Sequence, residues 1–288
     1  MKKLLTVILT VLFMASGLLP VANPAKVEAS SKPTTIFLHG YYGGKDSMVK
    51  MIRFLTNEKS NLKAPVPYEM TRNGKTDIYL DYIPYAGQKT TYYFTPPGYK
   101  GTTEMRIIDF TKYGAKKPND KLVQVVFSQN AQSLDNQEKM LRQVLADLKK
   151  KNVKEINLVA HSMGGLLATQ LVLKGSPIKV KNLVTLDSPI LGTQSSAIGG
   201  SARDLYDGGA VIRESIRLKK KINSGTKVLS YSDSWSLHPA SFVVDESSAR
   251  GLEKLTVKGQ FTFKKIEANH LSITSHKTVL NDVKKIAM

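Results

Sequence analysis

The second half of the chain alternates short, continuously apolar runs with longer segments in which apolar residues recur every three or four positions. The runs LVQVVF, EINLVA, NLVTLD, TKVLSYSD and GQFTFKKIEA are typical of strands. The segments LDNQEKMLRQVLADLKKK, MGGLLATQLVLK and ITSHKTVLNDVKKIA have helical spacing, and ARDLYDGGAVIRESIRLKKK predicts a helix broken at its glycines. Strands that alternate with helices predict an α/β fold, a mostly parallel, doubly wound sheet with helices on both faces.

The first half of the chain has a different pattern. The run TTIFLHG predicts a strand that leads into a helix over KDSMVKMIRFLTNE. From about 60 to 118 the sequence becomes a tyrosine- and threonine-rich alternation broken by proline and glycine, which predicts antiparallel edge strands or an insertion. We expect a single domain over residues 30–288.

The N-terminal segment is typical of a secretory signal peptide. Two lysines precede an apolar run from Leu4 to Leu19, and small residues follow up to Ala29. We expect cleavage after residues 1–29 and a secreted or cell-surface protein. An uncleaved membrane anchor is the alternative, although the apolar run is short for a span of about 20 residues. The chain has no cysteine, so neither a disulfide framework nor lipid attachment through a thiol is available.

The protein is strongly basic, with 42 Lys and Arg against 23 Asp and Glu and a formal net charge of +19. Such a charge attracts polyanions, which outside a cell means an anionic membrane surface or anionic wall polymers rather than nucleic acid. The alternative is that the lysines are solvated residues at helix ends, as in the runs Lys149 to Lys151 and Lys219 to Lys221. Nothing in the sequence indicates an oligomeric state.

The stretch AHSMGG is the strongest chemical signal in the sequence. Ser162 comes two residues after a predicted strand, and Gly164 opens the following helix. A serine in such a strand-to-helix turn has the setting of a nucleophile elbow, with small residues on both sides that let helix and strand approach. Ala160 replaces the usual first glycine and adds one methyl group. The alternative is a serine that caps a helix.

A serine hydroxyl needs a base that removes its proton. His270 follows the last predicted strand and precedes the last helix, where a hydrolase with the order serine, acid, histidine supplies its base. His276 lies within the last predicted helix, where we expect a surface role. We therefore expect His270 to be the base that serves Ser162.

The stretch FLHGYYGG ends the first strand that follows the leader. In this architecture the loop at that point supplies one backbone N–H of an oxyanion hole, and the residue after the nucleophile supplies the other. These positions are Tyr41 and Met163. His39 is then expected to be a structural neighbour.

Three aspartates are candidates for the carboxylate that orients the histidine. Asp233 ends the strand TKVLSYSD, the usual position in this architecture, and is our preferred candidate. Asp245 lies later in the same loop, and Asp187 ends the strand NLVTLD. Each of the three is also a residue type that caps turns.

With TIFLHGYYGG, LVQVVFSQN, INLVAHSMGGLLA, LVTLDSPILGT, SSARGL and NHLSITSHKTV in this order, the chain resembles the predicted cell-surface α/β hydrolases of Gram-positive bacteria. More distantly, it is similar to small bacterial lipases. The resemblance implies an α/β-hydrolase fold with Ser162 and His270 in a Ser-His-acid triad, and with an oxyanion hole at Tyr41 and Met163. The family commonly has an Asp-Gly pair where this chain has Ser241-Phe242, which leaves the acid open between Asp233, Asp245 and Asp187.

These observations predict a secreted or cell-surface serine hydrolase that cleaves carboxylic esters of small molecules or lipids through an acyl-enzyme on Ser162. No cofactor and no metal is expected. One alternative is a catalytically inactive surface-binding protein on a hydrolase scaffold. Another is a thioesterase or peptidase, because these enzymes share the same machinery.

Overall fold

A computed structural model supplies the fold of the protein, and its strands lie where the apolar runs predict them. The structure describes residues 32–41, 43, 47–56, 71–72, 75–76, 79–85, 88–93, 106–109, 119–127, 133–150, 152–193, 202–206, 208–233 and 244–288. The strands in these ranges are β1 (Thr34–Leu38), β2 (Thr71–Arg72), β3 (Lys75–Thr76), β4 (Tyr79–Tyr85), β5 (Gln88–Tyr93), β6 (Arg106–Asp109), β7 (Asn119–Phe127), β8 (Glu155–His161), β9 (Lys179–Leu186), β10 (Lys227–Asp233) and β11 (Phe261–Ile266).

One large sheet has the order β11-β10-β9-β8-β1-β7-β4-β5-β6 among the described strands. The six strands from β11 to β7 are parallel to one another, so the predicted α/β fold with a mostly parallel sheet is confirmed. At the other edge, β4, β5 and β6 extend the sheet in antiparallel pairing, in the part of the chain where the alternating pattern predicts antiparallel strands. β2 and β3 form a separate antiparallel pair.

Helices pack on both faces of the sheet, as the alternation predicts. The helices are α1 (Val49–Thr56), α2 (Leu134–Lys150), α3 (Met163–Leu173), α4 (Ala202–Tyr206), α5 (Ala210–Arg217), α6 (Glu246–Ala249) and α7 (Lys277–Ala287), with 3-10 helices at Arg250–Leu255 and Ser272–Ser275. The core on one face joins the sheet to α2, α3, α4 and α5, and the core on the other face joins it to α1 and α7. Side chains alternate between these cores along β1, where Ile36 and Leu38 enter the first and Phe37 the second.

Two element boundaries bear on the sequence predictions. The predicted break at the glycines occurs, since α4 ends at Tyr206 and α5 begins at Ala210. The expectation that His276 lies within the last helix is wrong. His276 is the N-cap of α7, where its Nδ1 accepts a hydrogen bond from the Thr278 N–H at 3.3 Å. An extended residue separates the 3-10 turn from α7, which the helical spacing of the apolar residues does not reveal.

All described residues belong to one compact unit, Lys32–Met288. The predicted signal peptide over 1–29 lies outside the described residues. Within the described ranges, none of the helices has the length and apolar character needed to cross a membrane.

Candidate active site

Ser162 lies in a sharp turn between β8 and α3, at the carboxyl edge of the sheet. Its backbone has φ 53° and ψ −125°, in a region that residues with a side chain rarely adopt. The Ser162 N–H donates to the Leu186 carbonyl at 2.9 Å, and the Ser162 carbonyl accepts from the Gly165 N–H at 2.9 Å. These bonds hold a strained strand-to-helix turn, which is the geometry of a nucleophile elbow.

The two glycines after this serine allow α3 to pack closely against the sheet. A Cβ atom on Gly164 would lie 2.5 Å from the backbone oxygen of His39, and one on Gly165 would collide with Ser188 Oγ. Ala160, on the other side of the turn, is fully buried in the core that the sheet shares with α3. The close packing of α3 against the sheet therefore requires glycine at positions 164 and 165, whereas position 160 accommodates a methyl group.

His270 connects Ser162 to a buried carboxylate. His270 Nε2 lies 3.0 Å from Ser162 Oγ, and His270 Nδ1 lies 2.5 Å from Asp187 Oδ2. The three residues are only 8%, 5% and 0% exposed, respectively for serine, histidine and aspartate. With Nδ1–H donating to the carboxylate, Nε2 is the nitrogen that is free to accept the serine proton. The structure thus brings together the serine and histidine that the sequence singled out.

The carboxylate beside His270 belongs to Asp187, so the preference for Asp233 from the sequence is wrong. Asp187 directly follows β9 with a positive φ of 45°, and its N–H donates to the Tyr231 carbonyl at 2.9 Å. Asp233 ends β10 and donates its backbone N–H to Asp187 Oδ1 at 3.2 Å. The left-handed turn after β9 thus presents the Asp187 carboxylate to the imidazole, and Asp233 supports that carboxylate through the backbone.

The third candidate, Asp245, is an exposed residue at the N-cap of α6. Its side chain makes no capping hydrogen bond. The structure does not bring it to the imidazole of His270, so its consideration as the acid is also wrong. A loop aspartate that precedes a short helix is common enough to be a misleading signal.

Asp233 lies close behind the Ser162, His270 and Asp187 group. Its side chain is buried, and oxygen or nitrogen atoms of Asp187, Asp233 and His270 all lie within 4.8 Å of one another. Burial, and then the neighbouring charge of Asp187, raise the pKa of Asp233 to about 6. Two carboxylates and an imidazole are also metal-ligating types, but the contact between His270 Nδ1 and Asp187 Oδ2 already explains the closeness of two of them.

His161 ties the histidine loop to the elbow, a role that the sequence did not suggest. Its Nε2 lies 2.7 Å from the His270 carbonyl oxygen, to which it donates, and the two rings have centroids 4.6 Å apart. Burial, and then the charge of His270, lower the pKa of His161 to about 3, so the ring is a neutral donor. The available signal was a polar ring directly after the apolar run Leu158 to Ala160.

His39 fixes the end of β1, in agreement with its expected structural role. Its Nε2 accepts a hydrogen bond from the Phe127 N–H at 2.9 Å, and its Nδ1–H donates to the Gly40 carbonyl at 2.8 Å. Because a backbone N–H only donates, Nε2 must be unprotonated, which fixes the neutral tautomer. Burial lowers the pKa of His39 to about 4. The bond to β7 holds the loop that follows β1.

The two positions predicted for an oxyanion hole both adjoin Ser162. Gly40 lies so close to the serine that an added Cβ would be 2.7 Å from Ser162 Cβ, and Tyr41 lines the same cavity as Ser162. Met163 is the first residue of α3, so its N–H is one of the donors that a helix N-terminus leaves without a partner in the helix. The oxyanion role of Tyr41 and Met163 remains a prediction.

A cavity of about 640 Å³ opens above the serine and histidine. A volume of this size accommodates a small organic substrate. Its described lining comes from the loop after β1, the start of α1, the segments after β9 and β11, α4, and the residue before Asp245. The nucleophile and base therefore face a cavity, while Asp187 lies behind them out of contact with solvent.

Comparison with protein families gives a match between residues 102–286 and the family model described as "Alpha/beta hydrolase of unknown function (DUF915)". This range includes Ser162, Asp187 and His270. Comparison with curated protein sequences gives no significant match.

Solved structures with a similar fold share little sequence with this chain. A gene product of Listeria innocua has a TM-score of 0.56 and 17% identity, over 88% of this chain and 93% of that chain. A lipase-esterase related protein from Clostridium acetobutylicum has a TM-score of 0.51 and 12% identity, over 89% and 95% of the two chains. A Bacillus licheniformis lipase in its mature form has a TM-score of 0.51 and 12% identity, over 93% and 96%. At these identities the comparisons establish a shared fold.

Proposed function

Because the chain belongs to the family of α/β hydrolases of unknown function, DUF915, we propose that it is a serine hydrolase that cleaves carboxylic esters through an acyl-enzyme on Ser162. The observation that carries this proposal is the pair of contacts made by His270. Its Nε2 lies 3.0 Å from Ser162 Oγ, and its Nδ1 lies 2.5 Å from Asp187 Oδ2. A serine, an imidazole and a buried carboxylate in this order can activate a hydroxyl group for nucleophilic attack.

In the first half of the reaction, His270 Nε2 takes the proton of Ser162 Oγ as the oxygen attacks the ester carbonyl carbon. Asp187 keeps the proton on Nδ1 and stabilises the imidazolium that forms. The Tyr41 and Met163 N–H groups are the proposed donors to the negative oxygen of the tetrahedral intermediate. When the carbon–oxygen bond to the alcohol breaks, His270 gives the proton to the leaving oxygen and the acyl group stays on Ser162.

In the second half, His270 removes a proton from a water molecule that attacks the acyl-enzyme carbonyl. Collapse of this intermediate returns the proton to Ser162 Oγ and releases the carboxylic acid. The reaction uses one water per ester and no redox step. The catalytic groups of this scheme are the protein's own side chains and backbone N–H groups.

Carboxylic esters of small molecules or lipids are the substrate class we favour. The C. acetobutylicum and B. licheniformis proteins of similar fold are described as lipase-esterase related and as a lipase, which supports this class. Thioesterases and peptidases use the same groups, so the choice of acyl compound rests on the cavity and not on the triad. The alternative of an inactive surface-binding scaffold rests on the replacement of the family's Asp-Gly pair by Ser241-Phe242 and on the basic charge of the chain. The contact between His270 Nδ1 and Asp187 Oδ2 provides a carboxylate for the triad and therefore favours the enzyme.

Secretion or attachment at the cell surface is part of the proposal. It rests on the charged and apolar pattern of residues 1–29, and the net charge of +19 favours association with anionic membranes or wall polymers over neutral surfaces. Retention on anionic vesicles or cell walls that falls as salt is raised supports this association. Retention that is independent of salt contradicts it.

A fluorophosphonate probe tests the proposed nucleophile directly. We expect the wild-type protein to be labelled and to hydrolyse para-nitrophenyl esters in a panel of acyl lengths, and Ser162→Ala to lose both properties. Ser247→Ala, at an exposed serine of α6, is the matched control and should behave as wild type. Equal labelling of the wild type and Ser162→Ala, or ester turnover that survives the substitution, would refute the proposal.

A further inference from the structure

The cavity above Ser162 has two sides of different chemistry. On one side lie Pro189, Leu205 and Val244, which are buried residues in segments after β9 and β10. On the other side, where α1 packs against the 3-10 helix after His270, most of the lining side chains are polar: Lys50, Asn269, Ser272, Thr274 and Ser275, beside the exposed Leu271. Leu205 belongs to the core on the α3 face of the sheet. Met48, which directly precedes α1, and Ile273, which lies in the 3-10 helix after His270, belong to the core on the opposite face. The cavity therefore runs across the carboxyl edge of the sheet from an apolar to a polar wall.

Lys50 gives the polar wall a positive charge. Among the described residues that line the cavity, it is the only lysine or arginine, and none of them is an aspartate or glutamate. Lys50 is exposed, and it makes no hydrogen bond or ion pair with any residue that the structure describes. Its ammonium group is thus available to an anionic ligand, and no carboxylate on the described lining competes for it.

Asn269 adds a neutral donor to the same wall. Its Oδ1 accepts hydrogen bonds from the Leu271 N–H at 3.1 Å and the Ser272 N–H at 2.7 Å, which identifies this atom as the amide oxygen. The Asn269 NH₂ group makes no bond to a described residue. By contrast, Ser275 uses its hydroxyl proton on the Ser272 carbonyl at 3.1 Å. Lys50 and Asn269 thus each have a donor group at this wall that no described residue uses.

The reaction itself decides which part of an ester meets this wall. His270 must hand its proton to the leaving oxygen, so the alcohol part of the ester lies on the side of His270. Asn269 is the neighbour of His270 in the chain and lines the cavity with it. The acyl part then extends the other way, toward Pro189, Leu205 and Val244, whose apolar side chains favour a hydrocarbon group.

We propose that the preferred substrates are carboxylic esters with an apolar acyl group and an anionic group on the alcohol part, which Lys50 and Asn269 bind. This inference rests on the proposed ester hydrolysis and specifies its substrate. The strongly basic chain supports it, because a net charge of +19 raises the local concentration of anionic substrates.

The test compares two esters of the same acid, para-nitrophenyl butyrate and its ring-sulfonated analogue, in the wild type, Lys50→Gln and Lys50→Glu. The measured quantity is the ratio of kcat/KM for the sulfonated ester to kcat/KM for the neutral ester. We expect this ratio to fall about two- to fivefold in Lys50→Gln, the range of a partly solvated ion pair, and further in Lys50→Glu. In the wild type the ratio should fall as salt is raised.

Lys277→Gln is the control, because Lys277 is an exposed lysine at the start of α7 that does not line the cavity. The proposal is overturned if Lys50→Gln leaves the ratio unchanged or if Lys277→Gln lowers it as much. A para-nitrophenyl hemisuccinate, with its charge on the acyl part, tests the orientation. If Lys50→Gln lowers the preference for this ester instead, the assignment of the alcohol part to the polar wall is wrong.

The neutral ester separates this inference from the proposed function. Hydrolysis of para-nitrophenyl butyrate that Ser162→Ala abolishes supports the hydrolase whatever the sulfonated ester does. With that hydrolysis in place, only the ratio between the two esters decides the role of Lys50. Absence of turnover and of fluorophosphonate labelling in the wild type overturns both.

Discussion

The backbone N–H of Asp233 donates a hydrogen bond of 3.2 Å to Oδ1 of Asp187, the carboxylate whose other oxygen contacts the imidazole of His270. The end of β10 thus holds the acid that follows β9. The carboxyl group of Asp233 is itself buried beside this acid. These two aspartates have different functions in the proposed reaction, and substitution by asparagine separates them.

Asp187→Asn should lower kcat by about 10³- to 10⁴-fold. The amide no longer fixes the Nδ1–H tautomer, and it does not stabilise the imidazolium by charge. Steady-state hydrolysis of a para-nitrophenyl ester measures the loss, and circular dichroism checks the fold. Asp245→Asn, at the exposed N-cap of α6, is the matched control and should retain wild-type kcat. Similar losses in the two variants would contradict the assignment of Asp187.

Asp233→Asn should retain most of the turnover, because the hydrogen bond to Asp187 comes from the backbone. Its effect should appear in the pH profile. The pKa of Asp233 is raised to about 6, so this carboxyl group changes its charge within the pH range in which esterase activity is measured. Asparagine carries no such charge, so the change of kcat/KM with pH around 6 should be weaker in the variant than in the wild type. A profile that coincides with that of the wild type would show that this charge does not reach His270.

His161→Leu should lower kcat more than His161→Gln. The bond from His161 Nε2 to the His270 carbonyl, at 2.7 Å, holds the loop that carries the base. Glutamine retains a donor of similar reach, whereas leucine leaves a buried carbonyl without its partner. We expect a decrease of about tenfold or more for leucine and a smaller one for glutamine, with KM less affected. Equal kcat values in the two variants would exclude the hydrogen bond as the cause.

Acid should destabilise the protein through His39 and His161. Burial lowers their pKa values from 6.5 to about 4 and about 3, so the unfolded chain binds more protons than the folded one as pH falls below 6.5. Their contribution to the free energy of unfolding is complete above pH 6.5 and is lost as the pH falls from 6.5 to the lowered pKa of each histidine. The loss is on the order of 1.4 kcal/mol per unit of pKa shift. Asp233 has the opposite effect between about pH 6 and pH 3.8, because its raised pKa makes the folded protein bind more protons than the unfolded chain in this range.

Urea unfolding of the wild type and of His39→Gln at a series of pH values measures the histidine contribution. The free energy of unfolding should depend less steeply on pH in the variant, because one of the two histidines whose pKa is lowered by burial is absent. The same slope in both proteins would mean that His39 does not titrate differently in the folded and unfolded states.

Ala160→Gly should lower the stability of the protein but not its kcat, whereas Gly164→Ala should lower both. Ala160 is fully buried, so its replacement by glycine removes a packed methyl group and loosens a strand, at a cost of about 1 to 2 kcal/mol. The Ser162 turn and the rate constants should persist.

Gly164→Ala brings a Cβ atom to 2.5 Å from the His39 backbone oxygen, so α3 or the end of β1 must shift. Both kcat and the stability of the protein should therefore fall. Thermal melts and ester kinetics on both variants provide the measurement.

The sequence was sufficient for the α/β sheet, the elbow at Ser162 and the choice of His270, because each depends on a local pattern or on chain order. It was not sufficient for the acid. Which aspartate reaches His270 depends on the turn after β9, where Asp187 adopts a positive φ of 45°. The sequence does not predict this turn, because the position has no glycine, the residue that usually indicates a positive φ. Asp233 lies at the more usual strand end, but it meets this carboxylate through its N–H.

The roles of His161 and Lys50 could not be predicted from the sequence either. The first depends on a backbone carbonyl 109 residues away, and the second on the packing of α1 against the turn after His270. Contacts of this kind are set by tertiary structure and leave no periodic signal in the sequence.

The central place of β1 has a consequence for how the chain folds. β1 pairs with β7 on one side and β8 on the other, and His39 at its end bonds to Phe127, 88 residues later. The first described strand to be synthesised therefore has no neighbour in the sheet until much of the chain is available. Such long-range pairing slows folding and leaves an apolar strand exposed in the meantime. Substitutions in β1 should consequently reduce the yield of folded protein more than their effect on equilibrium stability alone would indicate.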